Sequence, residues 1–513
     1  MAVRRALISV FDKTGLDRFA AGLAELGVEL VASGGTAAYI SELGLSVTPV
    51  DTLTDVPEML GGRVKTLHPR IHGAILARRD VEADLEALEE HGIEPFDLVC
   101  VNLYPFAQVA GRKDVREEEA VEMIDIGGPA MLRAAAKNFE HVAPVCSIAR
   151  YDSLLLEIQA TGEIDATTRR ELAAEAFSVT AAYEASIAAW FMDRDTFPDR
   201  LIPAFEKVLD LSYGENPHQR AAYYAEMGAR RHLLSQVEQL HGRELSFNNL
   251  NDLNAARLCL REFELPACVI VKHANPCGVS VAGSIEHAYE RALAADPVSA
   301  YGGIVALNRP VSEELADLIV GQFVEVLFAP GYADGAFETL AQKPATRILV
   351  DRERRRDAPG ERDFKRVLGG LLVQDRDWDI EDRAGMEIVC GSASEALWGD
   401  LLFAWRVCKQ VTSNAIVLAR DLQTLGIGAG QMSRVDSVRL ALEKAREHGH
   451  PLQDAVLASD AFFPFADGPE LALRVGVSAF IQPGGSKRDE EVIAAVEQAG
   501  ATMVFAHRRH FRH

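Results

Sequence analysis

Residues 6–36 read ALISVFDKTGLDRFAAGLAELGVELVASGGT, and this stretch decides the fold class. Ala6–Val10 reads as a short strand. Leu16, Phe19, Leu23 and Leu26 then recur at helical spacing, Gly27 closes the helix, and Val28–Ala32 reads as the next strand. Strand, helix and strand in succession predict an α/β fold, a parallel sheet with helices on both faces. Both strand exits place hydroxyls, glycines and a lysine where a helix begins, through Ser9, Lys13, Ser33, Gly35 and Thr36. Free N–H groups at a helix start, with hydroxyls and an ammonium, suit a phosphate. A single such loop is ordinary turn and cap chemistry; two in succession point to a phosphate cradle.

The stretch GGRVKTLHP at 61–69 extends that reading. Gly61-Gly62 delivers Arg63 and Lys65 to one side of an extended segment, since alternate residues share a face. Thr66 adds a hydroxyl, and the set suits a phosphorylated sugar or a nucleoside monophosphate. His68 and His72 are four apart, but without an HExxH pattern or nearby cysteines a metal is not expected. Asp97–Phe106 is another buried strand, ending in Asn-Leu-Tyr-Pro. IDIGGP at 124–129 precedes a helix with Arg133, Lys137 and Asn138. Tyr104, Asp125 and Lys137 are candidates for proton transfer and charge stabilisation.

The chain of 513 residues is too long for one core. Its net charge of −23 argues against general nucleic-acid binding and against an anionic membrane surface. The seven cysteines form no CxxC pair and read as reduced core thiols of a cytoplasmic protein. No run approaches a membrane span. Residues 150–195 carry apolar positions at helical spacing and read as core-facing helices. Phe197-Pro198-Asp199 breaks them, giving expected divisions of 1–147, a helical linker over 148–198, and 199–513.

In the second half, Val269-Ile270-Val271 reads as a buried strand, with Lys272 and His273 at its exit and Pro276 and Gly278 as the turn that ends it. An ammonium next to an imidazole disfavours the imidazolium, which makes His273 a candidate neutral base. EVLFAPGY at 325–332 and GGLLVQ at 369–374 read as further strands, and Arg352–Arg366 as a solvated loop or edge. The glycines at 426–430 spell GxGxG rather than GxGxxG, so a dinucleotide site is not expected. Phe462 and Phe465 flank a proline turn and could stack a heterocycle. The terminal His507–His513 reads, from its residues alone, as a frayed basic tail.

SVFDKTG, SGGTA, GGRVKTLHP, NLYPF, IDIGGP and AAAKN, in that order, resemble the cyclohydrolase half of the bifunctional AICAR transformylase/IMP cyclohydrolase family. The resemblance implies a methylglyoxal-synthase-like domain. It places Ser9, Lys13, Ser33, Gly35 and Thr36 in phosphate loops, and Arg63, Lys65 and Thr66 in the nucleotide loop. Tyr104, Asp125, Gly127 and Lys137 fall at the ring-closure site. Phe11 stands where some relatives carry a small polar residue, so its backbone would have to serve.

LSYGENPHQ at 211–219 resembles the opening of the family's transformylase half, with Ser212 in place of the arginine that contacts the substrate phosphate. That half is implied to be a duplicated cytidine-deaminase-like α/β region. Lys272, His273, Asn414, Tyr213, Gly302, Glu325, Phe462 and Arg509 are implied around the nucleotide, and Phe465 and Asp467 on the folate side. The implied cosubstrate is 10-formyltetrahydrofolate, and the substrates are AICAR and formyl-AICAR. No metal is required, a monovalent cation near Asp460 is left open, and the assembly is a homodimer. Two rivals are weaker. A zinc deaminase needs P-C-x-x-C, and Ser280 stands where the second cysteine belongs. A nucleotide sensor would not require Lys272, His273 and Asn414 beside the phosphate loops.

Overall fold

The computed structural model describes every residue except 1, 56–59, 61–62, 113, 193–196, 228–236, 352–360 and 379–381. Gly61-Gly62 and most of the charge-rich segment at 352–366 therefore lie outside the described residues. The chain forms two compact units, residues 1–206 with 226–230, and residues 207–225 with 231–513.

The first unit opens with β1 (Arg5–Val10), α1 (Leu16–Glu25), β2 (Glu29–Ala32), α2 (Gly34–Glu42) and the two-residue β3 (Thr48–Pro49). Helices α3 (Val50–Thr54), α4 (Pro69–Leu76) and α5 (Glu82–Glu90) lead to β4 (Leu98–Asn102). Then come α6 (Phe106–Ala110), α7 (Glu117–Glu122), α8 (Gly127–Lys137), β5 (Ala143–Val145), α9 (Tyr151–Thr161) and α10 (Ala166–Phe191). The strands lie in the order β3-β2-β1-β4-β5, every neighbouring pair parallel. Alternation along β1 splits the core. Ala6, Ile8 and Val10 pack with α1 and α9 on one face, while Leu7 packs with α4, α8 and α10 on the other. The segment expected as a helical linker is thus part of this core: Leu154, Ile158 and Leu172 are buried on one face and Ala173 and Ala176 on the other.

In the second unit β6 (Phe205–Leu211) and β7 (Ala221–Glu226) pair as a two-stranded ribbon. Next come β8 (Glu238–His241), α11 (Phe247–Leu260), β9 (Ala267–Lys272), β10 (Asn275–Val281), α12 (Ile285–Ala295) and α13 (Pro297–Ala300). β11 (Gly303–Leu307), α14 (Glu313–Val320), β12 (Val324–Ala329), α15 (Asp334–Ala341) and β13 (Arg347–Val350) complete this half. β14 (Arg362–Val367) and β15 (Gly370–Asp375) make a separate two-stranded hairpin, so residues 362–366 of the segment expected as a solvated loop or edge lie in a strand of that hairpin. The second half follows as β16 (Glu387–Cys390), α16 (Glu395–Cys408), β17 (Ile416–Arg420), β18 (Gln423–Gly428) and α17 (Arg434–Glu447). It ends with β19 (Val456–Ser459), α18 (Asp467–Leu473), β20 (Ala479–Gln482), α19 (Asp489–Gln498) and β21 (Thr502–Phe505).

These two halves repeat one another. Their strands form one twelve-stranded sheet, β16-β21-β20-β19-β17-β18-β10-β9-β11-β12-β13-β8, whose order reads the same outward from the β18–β10 seam in both directions. At the seam the Thr424 hydroxyl bonds the backbone N–H and carbonyl of Val279, at 2.9 and 3.2 Å. One face of the sheet is covered by α11 and α16, one helix from each half. The opposite face carries α12, α14 and α15 over the first half and α17, α18 and α19 over the second. Corresponding residues fall 148 positions apart, from Ser246 to Ser394, Asp252 to Asp400, His273 to Asp421 and Gly278 to Gly426.

One expectation is corrected here. The turn after β9 is His273-Ala274, both with positive φ (52° and 60°), and Pro276 and Gly278 lie within the return strand β10. Gly278 is needed for close packing rather than turning, because a Cβ there would collide with the Ala292 carbonyl of α12.

Candidate active sites

In the first unit the loops after β1, β2 and β4 leave the sheet at its carboxyl end, where the strand order reverses and ligands gather in such folds. Ser9 Oγ and Ser33 Oγ are 2.6 Å apart. Asn102 Oδ1 accepts from the amides of Phe11 and Asp12 at 2.6 and 3.1 Å, and its Nδ2 donates to the Asp12 carbonyl at 2.7 Å. That side chain clamps the loop carrying Lys13, whose Nζ lies 3.4 Å from the Phe11 carbonyl. The Phe11 amide is thereby committed to Asn102, and the Thr36 hydroxyl is committed to Val10, at 3.1 Å from both its N–H and its carbonyl.

The 63–66 segment reaches the same place. A Cβ on Gly34 would overlap Lys65 Nζ, and one on Gly127 would overlap Thr66 Oγ1. The glycines therefore let the 63–66 segment close against α2 and α8. Arg63 is exposed and pairs with Glu122. Asp125 Oδ1 accepts from the Gly128 amide at 2.8 Å, and the Asp125 amide donates to the Tyr183 hydroxyl at 2.7 Å. Burial pushes the Asp125 carboxyl above its ordinary value, opposed by hydrogen bonds from the amides of Gly128 and Tyr104. The Tyr104 ring sits 5.3 Å from that of Phe11. Lys137 is not brought to this cluster. It ends α8, which Gly127 begins, and a rise of ~1.5 Å per residue puts it ~15 Å along the helix from Asp125's end. His68 caps α4 through its Nδ1, which accepts from the Arg70 amide at 3.2 Å.

In the second unit the Lys272 ammonium donates to the carbonyls of Tyr301 and Gly302, at 3.2 and 2.7 Å, and His273 is exposed on the turn beside it. Gly302 has φ 67°, and a side chain there would press on Lys272 Nζ. The turn is held from α11: Asp252 Oδ2 accepts from the His273 amide at 3.2 Å and Oδ1 from the Ala274 amide at 2.6 Å. A two-residue turn with both φ positive normally takes glycine or asparagine. Left-handed backbone costs other residues roughly 1–2 kcal/mol each, which two bonds to a carboxylate, about 1.5–3 kcal/mol each, offset.

The turn is tied to the Asn414 loop by Asn275, whose Oδ1 accepts from the Thr412 amide at 2.8 Å. The peptide bond between Ser413 and Asn414 is cis. Asn414 Nδ2 donates to the carbonyls of Gln431 and Met432 at 2.9 and 3.3 Å, and its Oδ1 accepts from Arg434 at 2.7 Å. Arg434 also donates to Ser459 Oγ at 2.9 Å and pairs with Asp460, whose other carboxylate oxygen takes the Ser413 hydroxyl. Both carboxylate oxygens of Asp460 are thus engaged within the protein. The C-terminal segment is not frayed: the Arg512 carbonyl accepts from the Ser413 amide at 2.9 Å, and the His510 amide donates to the Asp460 carbonyl at 3.1 Å.

The remaining residues are more spread out. Glu325 accepts from Asn249 Nδ2 at 2.9 Å, so it is held by the start of α11. The Tyr213 carbonyl accepts from the Phe247 amide, and Ser212 Oγ donates to the Leu245 carbonyl at 3.2 Å, spending its hydroxyl on backbone. Phe462 and Phe465 are exposed, with the Arg488 guanidinium 4.7 Å from the Phe465 ring centre. Asp467 Oδ1 accepts from the Gly468 amide at 2.8 Å, and Arg509 is exposed over Phe511. Sequence reasoning missed Asn102, Asp252 and Arg434. Each reads locally as a strand end, a helix residue or a cap neighbour, and their partners stand 20 to 91 positions away.

Comparison with known proteins divides the chain inside the first unit, near residue 130. The sequence model described as AICARFT/IMPCHase bienzyme matches residues 135–444, and that of the MGS-like domain matches residues 15–130. The bifunctional purine biosynthesis protein PurH of Magnetococcus marinus is 49% identical over 529 aligned positions, covering 100% of this chain and 99% of that protein. A solved structure titled "Crystal structure of ForH" is 40% identical over 37% of this chain and 100% of its own, with a TM-score of 0.34.

Proposed function

The chain belongs to the AICARFT/IMPCHase bienzyme family and carries both AICAR formyltransferase and IMP cyclohydrolase activities, and we propose that each unit performs one of them. The first unit, MGS-like in sequence, closes formyl-AICAR to IMP. The carboxamide nitrogen attacks the formyl carbon of the same molecule and water leaves. Orientation by the cradle of Ser9, Lys13, Ser33, Gly35, Thr36, Arg63, Thr66 and Gly127 supplies much of the rate, up to ~7–11 kcal/mol in favourable cases. Lys65 stabilises the oxygen as it becomes negative, and Asp125 with Tyr104 moves protons, burial holding the Asp125 carboxyl above its ordinary value. The place of Lys137 at the far end of α8 argues against its acting on the same atoms within one chain.

In the second unit the weakly nucleophilic 5-amine of AICAR attacks the formyl carbon of 10-formyltetrahydrofolate. His273 takes the proton the amine loses. Lys272 and Asn414, the latter oriented by Arg434, stabilise the oxyanion, and the folate nitrogen leaves with a proton. Tyr213, Gly302, Glu325, Phe462 and Arg509 belong to the nucleotide side, and Phe465 and Asp467 to the folate side. The duplicated halves support the cytidine-deaminase-like reading of this unit. No step is routed through a cation at Asp460. A cytoplasmic homodimer is supported by the seven free cysteines and by the leucines that the β14–β15 hairpin exposes, Leu368, Leu371 and Leu372. Among the described residues no helix is long and apolar enough to cross a membrane.

The observation that supports this reading best is the bond from the Thr412 amide to Asn275 Oδ1, which ties the Lys272-His273 turn to the loop that carries Asn414. The test supplies AICAR and 10-formyltetrahydrofolate and follows IMP. His273→Ala is expected to abolish formyl transfer and spare cyclisation of supplied formyl-AICAR, and Lys65→Ala to do the reverse. Loss of both activities in either variant would refute two independent sites.

A further inference from the structure

The duplicated halves allow a comparison that the sequence does not offer. In the first half Asp252 lies six residues after the Ser246 cap of α11 and holds the amides of His273 and Ala274. In the second, Asp400 lies six residues after the Ser394 cap of α16 and holds the amides of Asp421 and Leu422, at 2.9 and 2.7 Å. The same carboxylate oxygens serve the same turn positions, and Asp421 and Leu422 also have positive φ, 53° and 57°. In both cases the aspartate reaches a turn 21 residues further on, at the exit of the strand that follows its helix. The two halves therefore share one device for forcing a turn through the left-handed region without glycine. Only the first half mounts an imidazole on it. Burial raises the Asp252 carboxyl above its ordinary value, opposed by the bonds from the Ala274 and His273 amides and by the nearby Lys272 ammonium.

We propose that Asp252 is the residue that positions the His273 imidazole for formyl transfer, by fixing the two turn residues that carry it. Asp400 is its counterpart in a half that has kept the turn without the chemistry. The proposal rests on His273 being the base. An imidazole on a free two-residue turn can swing by more than the ångström that separates productive from unproductive geometry, and such a displacement costs on the order of 10²-fold in rate. In Asp252→Asn the shape is kept, but one acceptor becomes an NH₂ facing an amide N–H, so one anchor turns repulsive.

The experiment uses the full chain and three measurements on each of wild type, D252N and D400N: formyl-transfer kinetics, cyclisation of supplied formyl-AICAR, and the thermal midpoint. D252N is expected to lower formyl-transfer kcat by about 10- to 100-fold, with the KM for AICAR within about threefold and cyclisation unchanged. D400N breaks the equivalent clamp and is expected to lower the thermal midpoint by a similar amount while formyl-transfer kcat stays within about twofold. Full kcat in D252N overturns the proposal. So does an equal kcat loss in both variants, which would make the clamp merely structural. If H273A, measured alongside, keeps formyl transfer, the assignment of the base has failed and takes the proposal with it. That result is distinguishable because D252N is not needed to see it.

Discussion

Replacing Arg434 by methionine probes the second site through a buried ion pair. Arg434 and Asp460 are 7% and 0% exposed at their side chains. In Arg434→Met, Asp460 keeps only the Ser413 hydroxyl, Ser459 loses its donor, and Asn414 Oδ1 loses the bond that orients its amide. Breaking a buried pair from one side costs ~3–5 kcal/mol, because the remaining carboxylate stays desolvated. At ~1.4 kcal/mol per tenfold, that lowers the folding equilibrium of this unit by roughly two to three and a half orders of magnitude. Trp398 and Trp405 are both buried in α16 of this unit, so urea unfolding followed by tryptophan fluorescence reports it. Formyl transfer is expected to fall with the loss of Asn414 orientation, while cyclisation in the first unit is retained. Arg434→Met combined with Asp460→Leu removes both charges and is expected to be less destabilised than the sum of the two single changes, by ~1–3 kcal/mol. An unchanged urea midpoint in Arg434→Met, or a double variant equal to the sum, would refute the reasoning.

Two further outcomes concern the first unit. Asn102→Ala removes both anchors of the Phe11-Asp12 amides, worth about 1 kcal/mol each, so the KM for formyl-AICAR should rise by about 10- to 30-fold with formyl transfer unaffected; an unchanged KM would show that the loop holds itself. Cyclisation that uses the Asp125 anion should decline as pH falls through a midpoint above the ordinary 3.8, since burial raises this carboxyl and protonation removes the base. Initial rates across the acid range would show this limb in wild type and its absence in Asp125→Asn, and a limb at or below 3.8 would contradict the assignment.

By itself the sequence determined what is encoded between near neighbours. The strand at Ala6–Val10, the helical spacing from Leu16 and the strand at Val28–Ala32 sufficed for the parallel sheet with helices on both faces. The motif residues were legible because strand exits and glycine turns occur where the pattern changes. Tertiary structure decided what depends on distant partners. Asp252 moved the turn to His273-Ala274, ahead of the proline and glycine that a local reading takes for it. Thr424 fused two halves into one sheet across 145 positions, Asn275 joined the Asn414 loop across 137, and helix length placed Lys137 away from Asp125. Local propensity cannot register such contacts, because the free energy that enforces them comes from burial and hydrogen bonding that exist only once the chain is folded.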